Sequence, residues 1–393
     1  MSFLENDDTS IDVTTIFAKI VGFWVAADRF EHRIRTVSLI YTLFAILFGV
    51  WVQIRDLYFS WSDFSACLFT AANALSVAMS FVKILILLGH KDDFFHLILC
   101  IQTKFLRADY DDYERQIVLS CKQTNFCILH AVSANIGKNE SSRVLPFNMW
   151  VNLPLAMTPY YEITFIIQVL SMCHIGVTYF CFDNFFCIMN LHAASQFRIL
   201  QYRMANMKIL KSRDEEIGKG KTAANSSSLA NKRYATFKDN VRQHQALIEY
   251  CEKIEQVFSL IVLGQVLMFN NSLMIKNVDF LHGFWIPNLL FISRLSTSLC
   301  QLLMFTFSCD CMIRESANIA KAVYNGPWSL LPLTTSGRLL RKDLVLVIMR
   351  SSVPCCLTAR GFFIVSLETY TRVLSTAVSY FTLLQQGSQA SSF

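Results

Sequence analysis

Charge is scarce in this chain: only 16% of its 393 residues are Asp, Glu, Lys or Arg. There are also few chain breakers, with 13 glycines and 7 prolines, while 53% of residues are hydrophobic and mean hydropathy is +0.39. That balance excludes an ordinary soluble domain of this length. Enzyme signatures are missing as well. The sequence contains no HExxH, no GxSxG, no phosphate-binding P-loop and no glycine-rich dinucleotide turn, so it is read as a non-enzyme with no catalytic residue. The 13 cysteines include no CxxC pair and no His partners at metal spacing. No disulfide framework, metal site or cofactor is therefore expected, and the thiols within apolar runs read as small hydrophobes. The opening MSFLENDDTSID is acidic where a secretory signal starts positive, so the first apolar run is expected to act as its own insertion signal.

What is present is a series of apolar runs with few or no charges, each long enough to supply the about 20 helical residues that cross a bilayer core. The spans are read at residues 36–54, 64–88, 117–137, 163–190, 256–275, 280–309 and 366–386. Within 117–137 the uncharged run is short, from Gln123 to Gly137. The fold class is therefore all-α: a polytopic membrane protein with seven transmembrane helices behind a segment, residues 1–35, that precedes the membrane domain of 36–393. Helical extensions are expected at 191–255 and 310–353.

Lys and Arg mark the cytoplasmic side of such a protein. Lys19, Arg29, Arg33 and Arg35 precede the first span, and the connection between spans four and five is basic from Arg198 to Arg242. The next such connection carries Arg314, Lys321, Arg338, Arg341 and Lys342. The alternate connections hold only Arg55, then Lys138 and Arg143, then Lys276. This asymmetry places the N-terminus and both extensions in the cytoplasm and the C-terminus outside, the reverse of a G-protein-coupled receptor. The tripeptide starting at Asn139 is a glycosylation candidate, because it falls outside; Asn225 also fits the pattern but falls inside.

The segment 16–30 is amphipathic and aromatic, with Phe23 and Trp24 suited either to the interface or to packing on the spans. Residues 218–232, GKGKTAANSSSLANK, read as disordered. From Phe237 a helical stripe of Phe237, Val241, Ile248, Cys251 and Phe258 leads into span five without a breaker. The proline-rich stretch before span four reads as an ordered outer lid. Pro354 and Gly361 bracket a break that separates a cytosolic helix from the last span.

Few residues invite chemistry. Lys83 reads as snorkelling to the inner interface and Asp183 as an interfacial acid near the inner end of span four. Arg294 within span six either reaches the outer interface or contacts a ligand, since an unpaired guanidinium there costs at least ~2.5 kcal/mol. The last span carries Ser375, Ser379, Thr382 and Gln386 at spacings of 4, 3 and 4. Such a stripe is either hydrogen-bond glue between helices or, with several subunits each giving one helix, the wall of a hydrated pore. A transporter would need inverted repeats with paired broken helices, and the break before the last span has no counterpart.

The block Ser379, Tyr380, Phe381, Thr382, Leu383 and Leu384 resembles the terminal motif of the insect odorant receptor family. Residues 354–359 (P-x-x-L-T-A), SLETYTRVLSTA (366–377), VRQHQALIEYCEKIEQVF (241–258), SANIAKAVYNGPW (316–328) and GFW (22–24) continue the resemblance along the whole chain. Val378 and Val25 depart from residues common in that family. The resemblance implies an odorant receptor of a sensory neuron's dendritic plasma membrane, one that binds a small volatile odorant within the bundle. It also implies a non-selective cation channel, formed as a heterotetramer with the shared odorant co-receptor. Membrane lipid is a partner and nucleic acid is not. A G-protein-coupled or gustatory-type chemosensory receptor is the alternative. By the same resemblance Ser379, Thr382, Leu383 and Gln386 belong to the pore, with Leu383 at the gate and Gly387 where a second bulky aliphatic can stand. Phe126, His130, Gln168, Met172, Phe291 and Arg294 are pocket candidates from depth and helical spacing.

Overall fold

The computed structural model describes residues 9–24, 28–59, 61, 64–105, 160–206, 223–281, 288–326 and 335–390. The third expected span, the outer lid, Phe126, His130 and Asn139 lie outside them. Among the described residues the chain is helical, with one isolated bridge between Thr358 and Ile364, as an all-α membrane protein requires. The helices are α1 (Thr9–Val21), α2 (Arg29–Phe59), α3 (Phe64–Gly89) and α4 (Lys91–Cys100), the last running on as a π-helical turn, Ile101–Phe105. They continue as α5 (Tyr160–Ala205), α6 (Ala223–Leu281), α7 (Asn288–Tyr324), α8 (Thr335–Ser351) and α9 (Leu367–Ala390).

At 1.5 Å per residue, α5, α6 and α7 are roughly 69, 88 and 55 Å long, well beyond the ~30 Å hydrocarbon core. Each is therefore longer than one crossing needs, and the three pack on one another. Among the described residues the most extensive packing is between α5 and α7, and every residue from Cys181 to Phe197 is buried. A helix buried all round is the central one. Its phenylalanines interlock with neighbours: Phe186 lies 4.7 Å from Phe305 and 5.1 Å from Phe258, centre to centre.

Helix α6 begins at Ala223, so residues 223–232 are helical rather than disordered. Ala223, Ala224, Leu229 and Ala230 are good helix formers, and extending a helix already fixed by the Phe237 stripe needs no new nucleus.

Helix α1 ends in a Schellman motif. Gly22, at φ +83°, donates to the Lys19 carbonyl at 3.1 Å and Phe23 donates to Ala18 at 2.9 Å. The carbonyls left over at that end are taken by α2, where Ser38 donates to Ile20 and Thr42 donates to Val21 at 2.9 Å. This cap drops Phe23 into a cage of Phe94, Phe95 and Phe182, with centres 5.4 to 5.6 Å away. Trp24 stacks on Phe185. Both aromatics thus pack on the bundle, a role compatible with a place at the interface. The opposite side of α2, with Ile34, Val37, Ile40, Phe44, Leu47, Trp51 and Ile54, is exposed and apolar, as a lipid-facing stripe is.

Between α8 and α9 the chain makes a tight hairpin. Arg360 and Gly361 both have positive φ, 53° and 81°, and Phe362 donates to Ala359 at 3.0 Å. That is a type I′ turn. Leu357, Ala359 and Val365 are buried by it, and Thr358 bonds Glu255 on α6. The break expected around Pro354 and Gly361 is thus a folded hinge fastened to α6.

Candidate functional site

Helix α9 sits at the rim of the chain. Val373 and Ala377, four residues apart, are its buried contacts in that stretch, while Ser375, Thr376, Ser379 and Thr382 are exposed and Val378 is 61% exposed. The hydroxyls fold back onto their own helix. Ser379 donates to the Ser375 carbonyl at 2.9 Å, Thr382 to Ser379 at 2.8 Å and Thr376 to Arg372 at 2.8 Å. None of these three bonds reaches another helix, so this face does not glue the described parts of the chain together. Tyr380, Phe381, Leu383, Leu384 and Gln386 lie in the same helix, which continues past Gln386 to Ala390; their side chains are outside the described ones. An open groove of about 970 Å³ runs along the first half of α9, walled by Val266 of α6, Asp310 and Ile313 of α7 and the hairpin residues Phe362 to Ile364.

The interior of the bundle holds a polar network that the sequence did not announce. Lys83 on α3 is fully buried, with Nζ 2.6 Å from Asp183 Oδ1 on α5 and 3.8 Å from the centre of the Tyr179 ring. Gln301 on α7 donates to the other Asp183 oxygen, and Gln265 on α6 donates to the Tyr179 hydroxyl. The Gln265 carbonyl oxygen is buried without a partner. Lys83 is therefore not snorkelling and Asp183 is not interfacial. Two charges that would each be costly alone satisfy one another in low dielectric, and a cation over the face of Tyr179 gains further from the ring quadrupole. The signal was available in principle: two opposite charges in apolar runs, each some way in from a span's inner end. A second polar contact lies on α5, where His174 pairs with Thr42 at 2.6 Å and meets Tyr41 edge to face.

The inward face of α5 is Gln168, Ser171, Ile175, Thr178 and Phe182, spaced 3, 4, 3 and 4, all buried. Gln168 thus points inside, whereas Met172 is 44% exposed and turned away from that face. Phe291 and Arg294 lie in the first turns of α7, and their side chains are outside the described ones. Of the six pocket candidates, the described side chains are these two on α5, and the fold does not bring them to one face. Among the described residues no cluster of His, Cys, Asp and Glu able to hold a metal occurs.

Comparison with known proteins gives a consistent result. The profile of the 7tm Odorant receptor family matches residues 112–378. Odorant receptor 10 of Aedes albopictus is 23% identical over 96% of this chain and 98% of its own length. Odorant receptor Or2 of Anopheles gambiae is 24% identical over 62% of this chain, which spans about three fifths (61%) of that receptor. Among solved structures, the olfactory receptor OR5 from Machilis hrabei superposes with a TM-score of 0.77 over 96% of this chain and 98% of its own, at 13% identity. The same receptor in complex with eugenol gives 0.76.

Proposed function

The chain belongs to the insect odorant receptor family, a family of multi-pass membrane receptors and not of enzymes, and from that premise we propose that it is an odour-tuning channel subunit. In this reading a small volatile molecule binds within the outer half of the bundle and opens a non-selective cation pathway. The channel is a heterotetramer with the shared odorant co-receptor, in the plasma membrane of an olfactory sensory neuron's dendrite. The N-terminus is cytoplasmic and the C-terminus outside, which leaves Asn139 accessible to glycosylation. OR5 of Machilis hrabei, whose fold this chain shares, has been solved in complex with eugenol, a small molecule of the class proposed here.

The observation that carries the reading is the exposed hydroxyl face of α9. Hydroxyls facing hydrocarbon gain nothing and lose their hydration, so a stripe of them at the rim of a membrane protein calls for water or a partner subunit. One helix encloses no channel; four, one from each subunit, do. Ser379, Thr382 and Gln386 then wet the wall and Leu383 forms the aliphatic constriction that closes by dewetting. Phe126, His130, Gln168, Met172, Phe291 and Arg294 remain the proposed ligand contacts, Gln168 having the support of its inward orientation. Co-expression with the odorant co-receptor, with odour-evoked current recorded across a broad panel, tests the proposal. Surface-delivered complexes that stay silent, or an N-terminal tag accessible from outside, would overturn it.

A further inference from the structure

A small basic cavity lies away from both α9 and the Lys83 network. It has a volume of about 230 Å³ and is enclosed by α4 and its π-helical turn, by α5 and by α6. This is below the ~300 Å³ at which sites for drug-sized ligands begin. Its size suits a headgroup.

The lining is rich in donors. Lys104 comes from the π-helical turn, His96 and Cys100 from α4, and Gln243, Tyr250 and Lys253 from α6. Lys104 and Lys253 both line the cavity; beside them burial pushes the Cys100 thiol's pKa up and the two lysines pull it back. Gln243 accepts from Arg203 Nη1 through its amide oxygen at 3.2 Å. Arginine has no acceptor to offer, so the amide nitrogen of Gln243 is left as a donor. One carboxylate also lines the cavity, that of Glu249, which is largely exposed and holds Lys253 at 3.3 Å. An ammonium carries three donors, so Lys253 keeps others for the cavity.

Tyr250 also lines the cavity. It is only 4% exposed, its ring packs edge to face on Phe105 at 5.2 Å, and its hydroxyl is buried with no hydrogen-bond partner. The π-helical turn that presents Lys104 is itself an irregularity that recurs at functional sites.

We propose that this cavity binds a phosphate-bearing anion. Lys104 and Lys253 neutralise its charge, and the Gln243 amide donates to its oxygens. The position fits a group at the headgroup level of the inner leaflet. Helix α3 leaves the membrane at Gly89 and the chain turns by 81° into α4, so α4 runs along the surface under the proposed orientation. Basic pockets between helices at that level take anionic lipid headgroups. A soluble phosphate ester has the same chemistry.

The test is thermal unfolding of the purified full-length chain in micelles, with two probes and phosphatidylcholine as the blank. The probes are a short-chain phosphatidylinositol bisphosphate and soluble inositol trisphosphate. A saturable rise in melting temperature is expected with the lipid. If inositol trisphosphate produces the rise as well, the source is a soluble phosphate; if only the lipid does, it is the membrane. Lys104→Gln/Lys253→Gln should weaken the response by about tenfold or more, and Glu249→Gln should strengthen it. No rise above the blank with either probe, or variants that respond like the parent, would overturn the proposal.

Discussion

Replacing Lys83 by Met is the sharpest perturbation of the bundle. Methionine keeps most of the stem and the apolar volume but removes the ammonium that lies 2.6 Å from Asp183 and 3.8 Å from the Tyr179 ring centre. Asp183 then stays buried with Gln301 as its one remaining donor among the bonds described above. Breaking a buried pair from one side costs about 3–5 kcal/mol, a large part of the roughly 5–15 kcal/mol that stabilises a typical domain. The double variant Lys83→Met/Asp183→Leu removes both charges. It should recover most of that loss, since apolar replacement of a whole buried pair is often neutral or stabilising by about 1–4 kcal/mol. The assay is the melting temperature of the purified chain in micelles for parent, both single variants and the double. Each single variant should fall by several degrees and the double should lie well above both, with a coupling of at least ~2 kcal/mol. If the Lys83 variant matches the parent, or the losses simply add, the ammonium is solvated and the pairing argument fails.

Four further outcomes follow from particular residues. Gly22→Ala should cost about 2 kcal/mol or more and cut surface delivery: φ is +83°, and a Cβ there would sit 2.5 Å from the Arg35 carbonyl oxygen and the Leu39 nitrogen. Gly264→Ala should be far milder, because the atoms it meets, at 2.7 and 2.8 Å, end the flexible Met79 side chain. His244 on α6 is held down to about 4 by burial and by Arg350. The folded chain therefore leaves it neutral where the unfolded chain protonates it, below about pH 6.5. Stability should fall by roughly 1 kcal/mol between pH 7 and 5 and be restored on returning to pH 7, and His244→Phe should flatten that part of the melting profile. Leu383→Ser should raise the odour-free current of the assembled channel, read as basal conductance; unchanged leak and gating would remove Leu383 from the gate.

The long helices were legible because a bilayer sets a minimum length for an uncharged run and because the Phe237 to Phe258 stripe has a helical period. The hinge was legible from Pro354 and Gly361, though its type I′ geometry needed the positive φ of Arg360 as well as Gly361. Residues 223–232 looked disordered because polar composition says nothing about a helix already fixed downstream. Lys83 and Asp183 were misread for a different reason: 100 positions apart, each by itself looks like a charge seeking the interface, and only tertiary packing reveals the partner. The candidate site divides the same way. Periodicity put Ser375, Ser379 and Thr382 on one face, but it could not say whether that face turns toward the chain or away. On α5 the same reasoning paired Gln168 with Met172, and the fold separates them.

The central claim is that α9 lines a water-filled conduction path that odour opens. Cysteine introduced singly at Ser379 and Thr382, in channels co-expressed with the odorant co-receptor, tests it with a membrane-impermeant charged thiol reagent added from outside. The account predicts that the reagent changes odour-evoked current at these positions, faster with odour present, relative to the parent channel. Cysteine at Ala377, which is buried against the bundle, should not respond. Odour-evoked currents equally indifferent to the reagent at Ser379, Thr382 and Ala377 would contradict it.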